Sequence, residues 1–149
     1  MRPSKDEYFM RIAQVVATRA TCDRKHVGAV IVDGSGRIVA TGYNGSPAGT
    51  PHCDDEGHVL KEIDGRMSCI RTLHAESNAI DYAGRESRGC TLYTTAIPCY
   101  ECAKRIINAG IVRVVYGEFY GSRNTGLVPD YLNQHDVELD HVECESEND

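Results

Sequence analysis

The sequence predicts an α/β fold, a three-layer α/β/α sandwich around a mixed five-stranded sheet, and three observations carry that expectation. An amphipathic segment opens the chain, two β-branched runs joined by a turn-forming stretch follow it, and helix-like and strand-like runs then alternate. A turn-joined pair gives antiparallel neighbours, whereas strands separated by helices require parallel, right-handed crossovers, so the sheet must be mixed.

Tyr8, Phe9, Ile12, Val15 and Val16 recur at helical spacing, which predicts a first helix over Lys5 to Ala20. Val27 to Val32 and Arg37 to Tyr43 are strand-like and flank Asp33-Gly34-Ser35-Gly36, the composition of a hairpin turn. From Asn44 to Ser68 periodicity lapses, and Gly45, Pro47, Gly49, Pro51, Gly57 and Gly65 punctuate a loop of about 25 residues. Loops of that length inside a compact domain are usually functional. Beyond it the expected order is helix Leu73 to Ala83, strand Cys90 to Thr95, helix Cys99 to Ala109 and strand Val112 to Tyr116. A last helix near Leu127 to Gln134 and a strand near Val137 to Val142 complete the sheet, ahead of an acidic tail after Glu143.

A chain of 149 residues fits one domain, spanning 1–149, whose core needs neither disulfide nor metal to offset small size. Sixteen basic against 22 acidic residues give a net charge of -6, with no Lys/Arg stripe to follow a phosphate backbone. Long nucleic acid is therefore a poor partner, while a lone phosphate could still be met by Arg24, Lys25 or Arg123. Met1 to Thr21 is charged and mixed, unlike a secretory signal, and no segment reaches membrane-spanning length. Seven cysteines, an odd number, then point to thiolate chemistry or metal binding in a cytoplasmic setting more than to a disulfide framework.

Cys99 and Cys102 stand three apart at the predicted start of a helix, so both thiols share one face, and Pro98 suits the helix entry. That spacing serves metal sites and redox dithiols alike. His74-Ala75-Glu76 opens the other crossover helix, and at a first turn the Cα–Cβ bonds tilt toward the N-terminus, so imidazole and carboxylate can converge beyond the helix end. His74, Cys99 and Cys102 thus form a candidate zinc site with a fourth position open for water. Two thiolates and a neutral imidazole leave such a site formally neutral, and the two helix N-termini offset the resulting loss of acidity. Glu76 as a fourth ligand would close the site, so its better role is to carry protons. A core histidine, an exposed glutamate and two unrelated thiols is the competing reading, which the joint pattern outweighs.

His-x-Glu followed by Pro-Cys-x-x-Cys is the zinc deaminase signature. With Val27-Gly28-Ala29-Val30-Ile31, Gly42-Tyr43-Asn44-Gly45-Ser46-Pro47, Asn78-Ala79-Ile80, Cys102-Ala103-Lys104, Asn108-Ala109-Gly110-Ile111 and Val114-Val115-Tyr116-Gly117-Glu118 with Tyr120, the chain resembles the deoxycytidylate (dCMP) deaminase family of the cytidine deaminase fold, including members from phages and bacterial competence operons. The resemblance spans about Lys5 to Tyr120; Ser77 and Ile97 depart from the family's most frequent residues. It implies hydrolysis of dCMP to dUMP and ammonia, supplying dTTP synthesis: Glu76 deprotonates zinc-bound water, the hydroxide attacks C4 of cytosine, and Glu76 relays protons to N3 and to the departing ammonia. It also implies that Asn44 contacts the sugar, Tyr120 the phosphate, and Ala75 and Pro98 the substrate, in the host cytoplasm if the chain is phage-encoded. Local physics agrees in kind for Asn44, since a glycine-flanked Asn after a strand lets backbone approach a ligand, although an Asn-Gly turn needs no function.

The same resemblance implies a homohexamer activated by dCTP and inhibited by dTTP, with Mg2+, near Tyr43, Asn44, Gly45 and Arg24. Some phage members carry a second, structural zinc, and Cys22, Cys53, His58 and Cys69 make a candidate four-ligand set beside the long loop. Free thiols and solvent-facing histidines are the alternative there. Three other functions compete: a deaminase taking dCTP or a modified deoxycytidylate, a tRNA or DNA deaminase disfavoured by the negative charge, and a non-catalytic zinc module that has no need of Glu76.

Overall fold

The computed structural model describes residues 1–21, 26–45, 60–63, 66–69, 73–119 and 125–144. Helix α1, Lys5–Ala17, starts where Ser4 Oγ accepts the Glu7 amide at 3.2 Å, with Asp6 and Glu7 in the first turn favoured by the helix dipole. It ends three residues earlier than the periodicity predicts. Thr18 Oγ1 donates to the Val15 carbonyl at 2.6 Å, and the chain tightens into successive three-residue turns through Ala20.

Strand β1, Gly28–Val32, is buried throughout, as a central strand with both faces covered should be. It pairs antiparallel with β2, Ile38–Tyr43. The turn between them is held by Asp33 Oδ1, which accepts from the Ser35 amide at 2.9 Å and the Arg37 amide at 3.0 Å, as the hairpin signal predicts.

The long loop is not structureless. Within it β3, Leu60–Ile63, and β4, Arg66–Cys69, form a separate antiparallel two-stranded sheet. Strands of four residues are too short to display alternation, although Asp64-Gly65 between them is a hairpin dipeptide in sequence.

Helix α2, Ala75–Ala83, runs into a 3-10 turn at Gly84–Ser87, and β5, Thr91–Ala96, follows. Helix α3, Tyr100–Asn108, strand β6, Arg113–Glu118, a 3-10 turn at Thr125–Leu127, helix α4, Val128–Gln134, and strand β7, Glu138–His141, complete the order. The main sheet runs β2-β1-β5-β6-β7, with β1 antiparallel to both neighbours and β5, β6 and β7 parallel. This is the mixed five-stranded sheet expected.

Strand alternation divides the core in two. Val30, Val32, Tyr93 and Val115 meet Phe9, Met10 and Ala13 of α1 on one face. Ala29, Ile31, Leu92 and Val114 meet Ala79 of α2, Ile106 of α3, and Val128 and Leu132 of α4 on the other. Among the described residues the layers are uneven, one helix against three. Two glycines set the spacing: a Cβ at Gly28 would strike the Ala13 carbonyl oxygen of α1, and one at Gly42 would lie 2.5 Å from the Ala75 carbonyl oxygen and the Ala79 nitrogen of α2. The helix that opens with His74 therefore packs directly on β2.

Candidate metal centre

Strands β2 and β5 run in the same direction, because each is antiparallel to β1, so their carboxyl ends share one edge of the sheet. Open α/β sheets place ligand sites at that edge. From β5 the chain passes through buried Ile97 and Pro98 to Cys99, the N-cap of α3, and Cys102 follows one turn in. At the end of β2, Gly45 exchanges two backbone hydrogen bonds with Leu73, of 3.2 and 2.8 Å, which fixes the segment leading into His74, the N-cap of α2. The predicted helix start at Leu73 therefore shifts to Ala75: Leu73 is held in a bridge to Gly45 instead.

The heads of both helices meet. His74 Nδ1 lies 3.3 Å from Cys102 Sγ and 3.5 Å from Cys99 Sγ, and the three donor atoms all fall within 4.8 Å of one another. Zinc bonds of about 2.3 Å to sulfur and about 2.0 Å to nitrogen would set N and S about 3.5 Å apart in a tetrahedron, so the cluster already has the spacing of a zinc site. Nδ1 faces both sulfurs and is the nitrogen that must be unprotonated to bind metal. Cys99, Cys102 and Glu76 are buried and His74 is half-buried.

Hydrogen bonding from Cys102, and then from His74, holds the Cys99 thiol well below the ordinary thiol range. The same pairing with Cys99, followed by burial, pushes Cys102 up. A bound cation would hold both as thiolates. Burial raises the Glu76 carboxyl, opposed by the neighbouring His74, so this carboxyl is disposed to take up a proton beside the metal ligands.

The other expected site residues are placed unequally. Ala75 and Pro98 are buried at the heads of α2 and α3. Asn44 is buried past the end of β2, where its Oδ1 accepts the Val27 amide at 2.7 Å and its main-chain oxygen the Thr21 amide at 3.1 Å. Tyr43 is half-buried and Gly45 buried. Cys22, Arg24, Cys53, His58 and Tyr120 lie outside the described residues, and Cys69 ends β4. Two neighbours of the site carried no role in the sequence reading: Ser77, whose Oγ lies 3.7 Å from Cys102 Sγ, and Asn78, whose Nδ2 donates to the Tyr43 carbonyl at 2.8 Å. Asn78 stands four residues after His74, on the same helical face, a spacing that was visible in the sequence.

A family model described as the cytidine and deoxycytidylate deaminase zinc-binding region matches residues 3–118. The chain belongs to that family. Among curated relatives, ComE operon protein 2 of Bacillus subtilis is 42% identical over 147 residues, covering 97% of this chain and 74% of that protein. The deoxycytidylate deaminase of Mycobacterium phage D29 is 45% identical over 124 residues, covering 77% and 95% of the two chains. The crystal structure of dCMP deaminase from the cyanophage S-TIM5, in complex with dCMP and dUMP, superposes with a TM-score of 0.75 at 31% identity, covering 95% of this chain and 99% of that one.

Proposed function

We propose that this chain is a dCMP deaminase that converts dCMP and water to dUMP and ammonia, supplying dUMP for dTTP synthesis. The observation that carries the reading is the His74, Cys99 and Cys102 donor set, closed to within 4.8 Å, with the buried Glu76 carboxyl against it. Similarity to deoxycytidylate deaminases, over 77% of the chain for the Mycobacterium phage enzyme and 95% for the cyanophage structure, supports the substrate.

His74, Cys99 and Cys102 would hold the zinc, which would supply the Lewis acidity that makes water a nucleophile at neutral pH. Glu76 takes a first proton from water as its oxygen attacks C4 of the cytosine and delivers it to N3. It then takes the proton left on the added oxygen and delivers it to the departing amine as the C4–N bond breaks, so the same carboxyl acts as base and as acid in turn. Burial, which raises its proton affinity, suits both halves of that relay. Ala75 and Pro98 flank the base, and Asn44 and Tyr120 take the sugar and the phosphate. Asn44 is suited to a fixed role, since its Oδ1 is anchored to the start of β1.

The remaining features of the reading rest on family likeness. They are a homohexamer, dCTP as activator and dTTP as inhibitor with Mg2+ near Arg24, Tyr43, Asn44 and Gly45, and a second zinc on Cys22, Cys53, His58 and Cys69. The site of action is the cytoplasm. Among the described residues no helix is long and apolar enough to cross a membrane.

Incubation of the purified protein with dCMP, dCTP and a 5-substituted dCMP tests the substrate. The expected result is dUMP and equimolar ammonia from dCMP at the highest kcat/KM. Preference for dCTP would reassign the substrate, and no product from any of the three would overturn the enzyme reading. Two zinc ions per chain are expected in the same preparation, and one would remove the second site. Rates on dCMP that ignore dCTP and dTTP would remove the effectors.

A further inference from the structure

Ser77 is buried on α2, where an apolar side chain would pack and serine is a weaker helix former. A buried hydroxyl costs free energy unless it is hydrogen-bonded, and in helices serine commonly donates back to the carbonyl three or four residues earlier. Here the Ser77 hydroxyl lies 3.7 Å from Cys102 Sγ, on the helix facing it.

Sulfur bound to a metal as thiolate has only lone pairs to offer, so in that state the hydroxyl must be the donor. We propose that Ser77 donates a hydrogen bond to the Cys102 thiolate and thereby tunes how strongly that sulfur binds the metal. The inference rests on the reading of His74, Cys99 and Cys102 as ligands. Ser77 is a positioning residue, acting through Cys102 and not on substrate. Its effect belongs to a crowded negative environment, in which two thiolates and the Glu76 carboxylate lie together. A donor to one sulfur offsets part of its negative charge and stabilises the thiolate form that binds metal, and partners of this kind orient and tune metal ligands generally.

Ser77→Thr and Ser77→Val are nearly identical in shape and differ in the hydroxyl. Cobalt(II) is loaded into the wild type and both variants, the sulfur-to-cobalt charge-transfer band is recorded, and metal affinity is measured by competition with a chelator. The expected result is a wild-type band and affinity for Ser77→Thr. For Ser77→Val the band moves to longer wavelength and affinity falls about tenfold. A purely structural role would change both variants alike, and bands and affinities that match across all three proteins overturn the proposal. Absence of any sulfur-to-cobalt band in the wild type would overturn the ligand reading itself, and this inference with it.

Discussion

The side-chain amide of Asn78 donates to the main-chain carbonyl of Tyr43 at 2.8 Å, tying the first turn of α2 to the end of β2. His74 caps the same turn and Glu76 lies within it, so this bond fixes the helix that carries a candidate metal ligand and the proposed proton carrier. Asn78→Ala should cost about 1–2 kcal/mol by leaving a half-buried carbonyl short of a donor. Urea unfolding reads that cost. Turnover of dCMP should fall with zinc content unchanged, and wild-type stability and turnover together would contradict this role.

Gly42 lies under α2, where a Cβ would sit 2.5 Å from both the Ala75 carbonyl oxygen and the Ala79 nitrogen. The obstacle is backbone, which cannot swing aside. Gly42→Val should therefore destabilise the fold by about 3 kcal/mol and displace the helix bearing Glu76. Gly34 in the β1–β2 turn has nothing within 4 Å of an added Cβ, so Gly34→Ala should stay within about 0.5 kcal/mol of wild type. Thermal unfolding of the pair separates close packing from a general intolerance of glycine replacement.

How far the fold can be read from sequence follows from where each strand and ligand sits. Strand β1 stands out because both of its faces are covered and its residues form an apolar, β-branched run, and β5 and β6 carry enough β-branched and aromatic residues to follow it. The Cys99 and Cys102 pair is equally legible, since donors on the first turn of one helix recur at short fixed spacing. The β3–β4 hairpin was missed because Lys61, Glu62 and Arg66 interrupt strands of four residues. The end of α1 was misplaced because a hydroxyl-to-carbonyl bond at Thr18 stops it while apolar spacing continues. The contact of Ser77 with Cys102 joins two helices across 25 residues of sequence, and no local period encodes such a meeting.

Asp6 anchors α1 to the sheet. Arg113 Nη1 and Nη2 donate to its two oxygens at 3.0 and 2.9 Å, and the Tyr93 hydroxyl donates at 2.7 Å. The bond from Arg113 leads in holding this carboxyl below its ordinary value. A depressed folded-state value means that its stabilisation is fully present above the unfolded-state value, about 3.9, and is lost as pH falls through the folded-state value. Asp6→Asn should cost about 1 kcal/mol near pH 7, a modest figure because 32% of the Asp6 side chain meets solvent. The gap between wild type and variant should hold from pH 7 to 5 and narrow below about 4. A gap that stays flat down to pH 2 would contradict this account.

The central claim, that Glu76 moves protons at a zinc site built by His74, Cys99 and Cys102, is tested most directly by measuring dUMP formation and zinc content together in Glu76→Gln. Glutamine keeps the shape of the side chain but cannot accept the proton from water. The account predicts zinc content equal to wild type and deamination reduced by at least about a hundredfold. Zinc-loaded Glu76→Gln that turns over dCMP at the wild-type rate would contradict it.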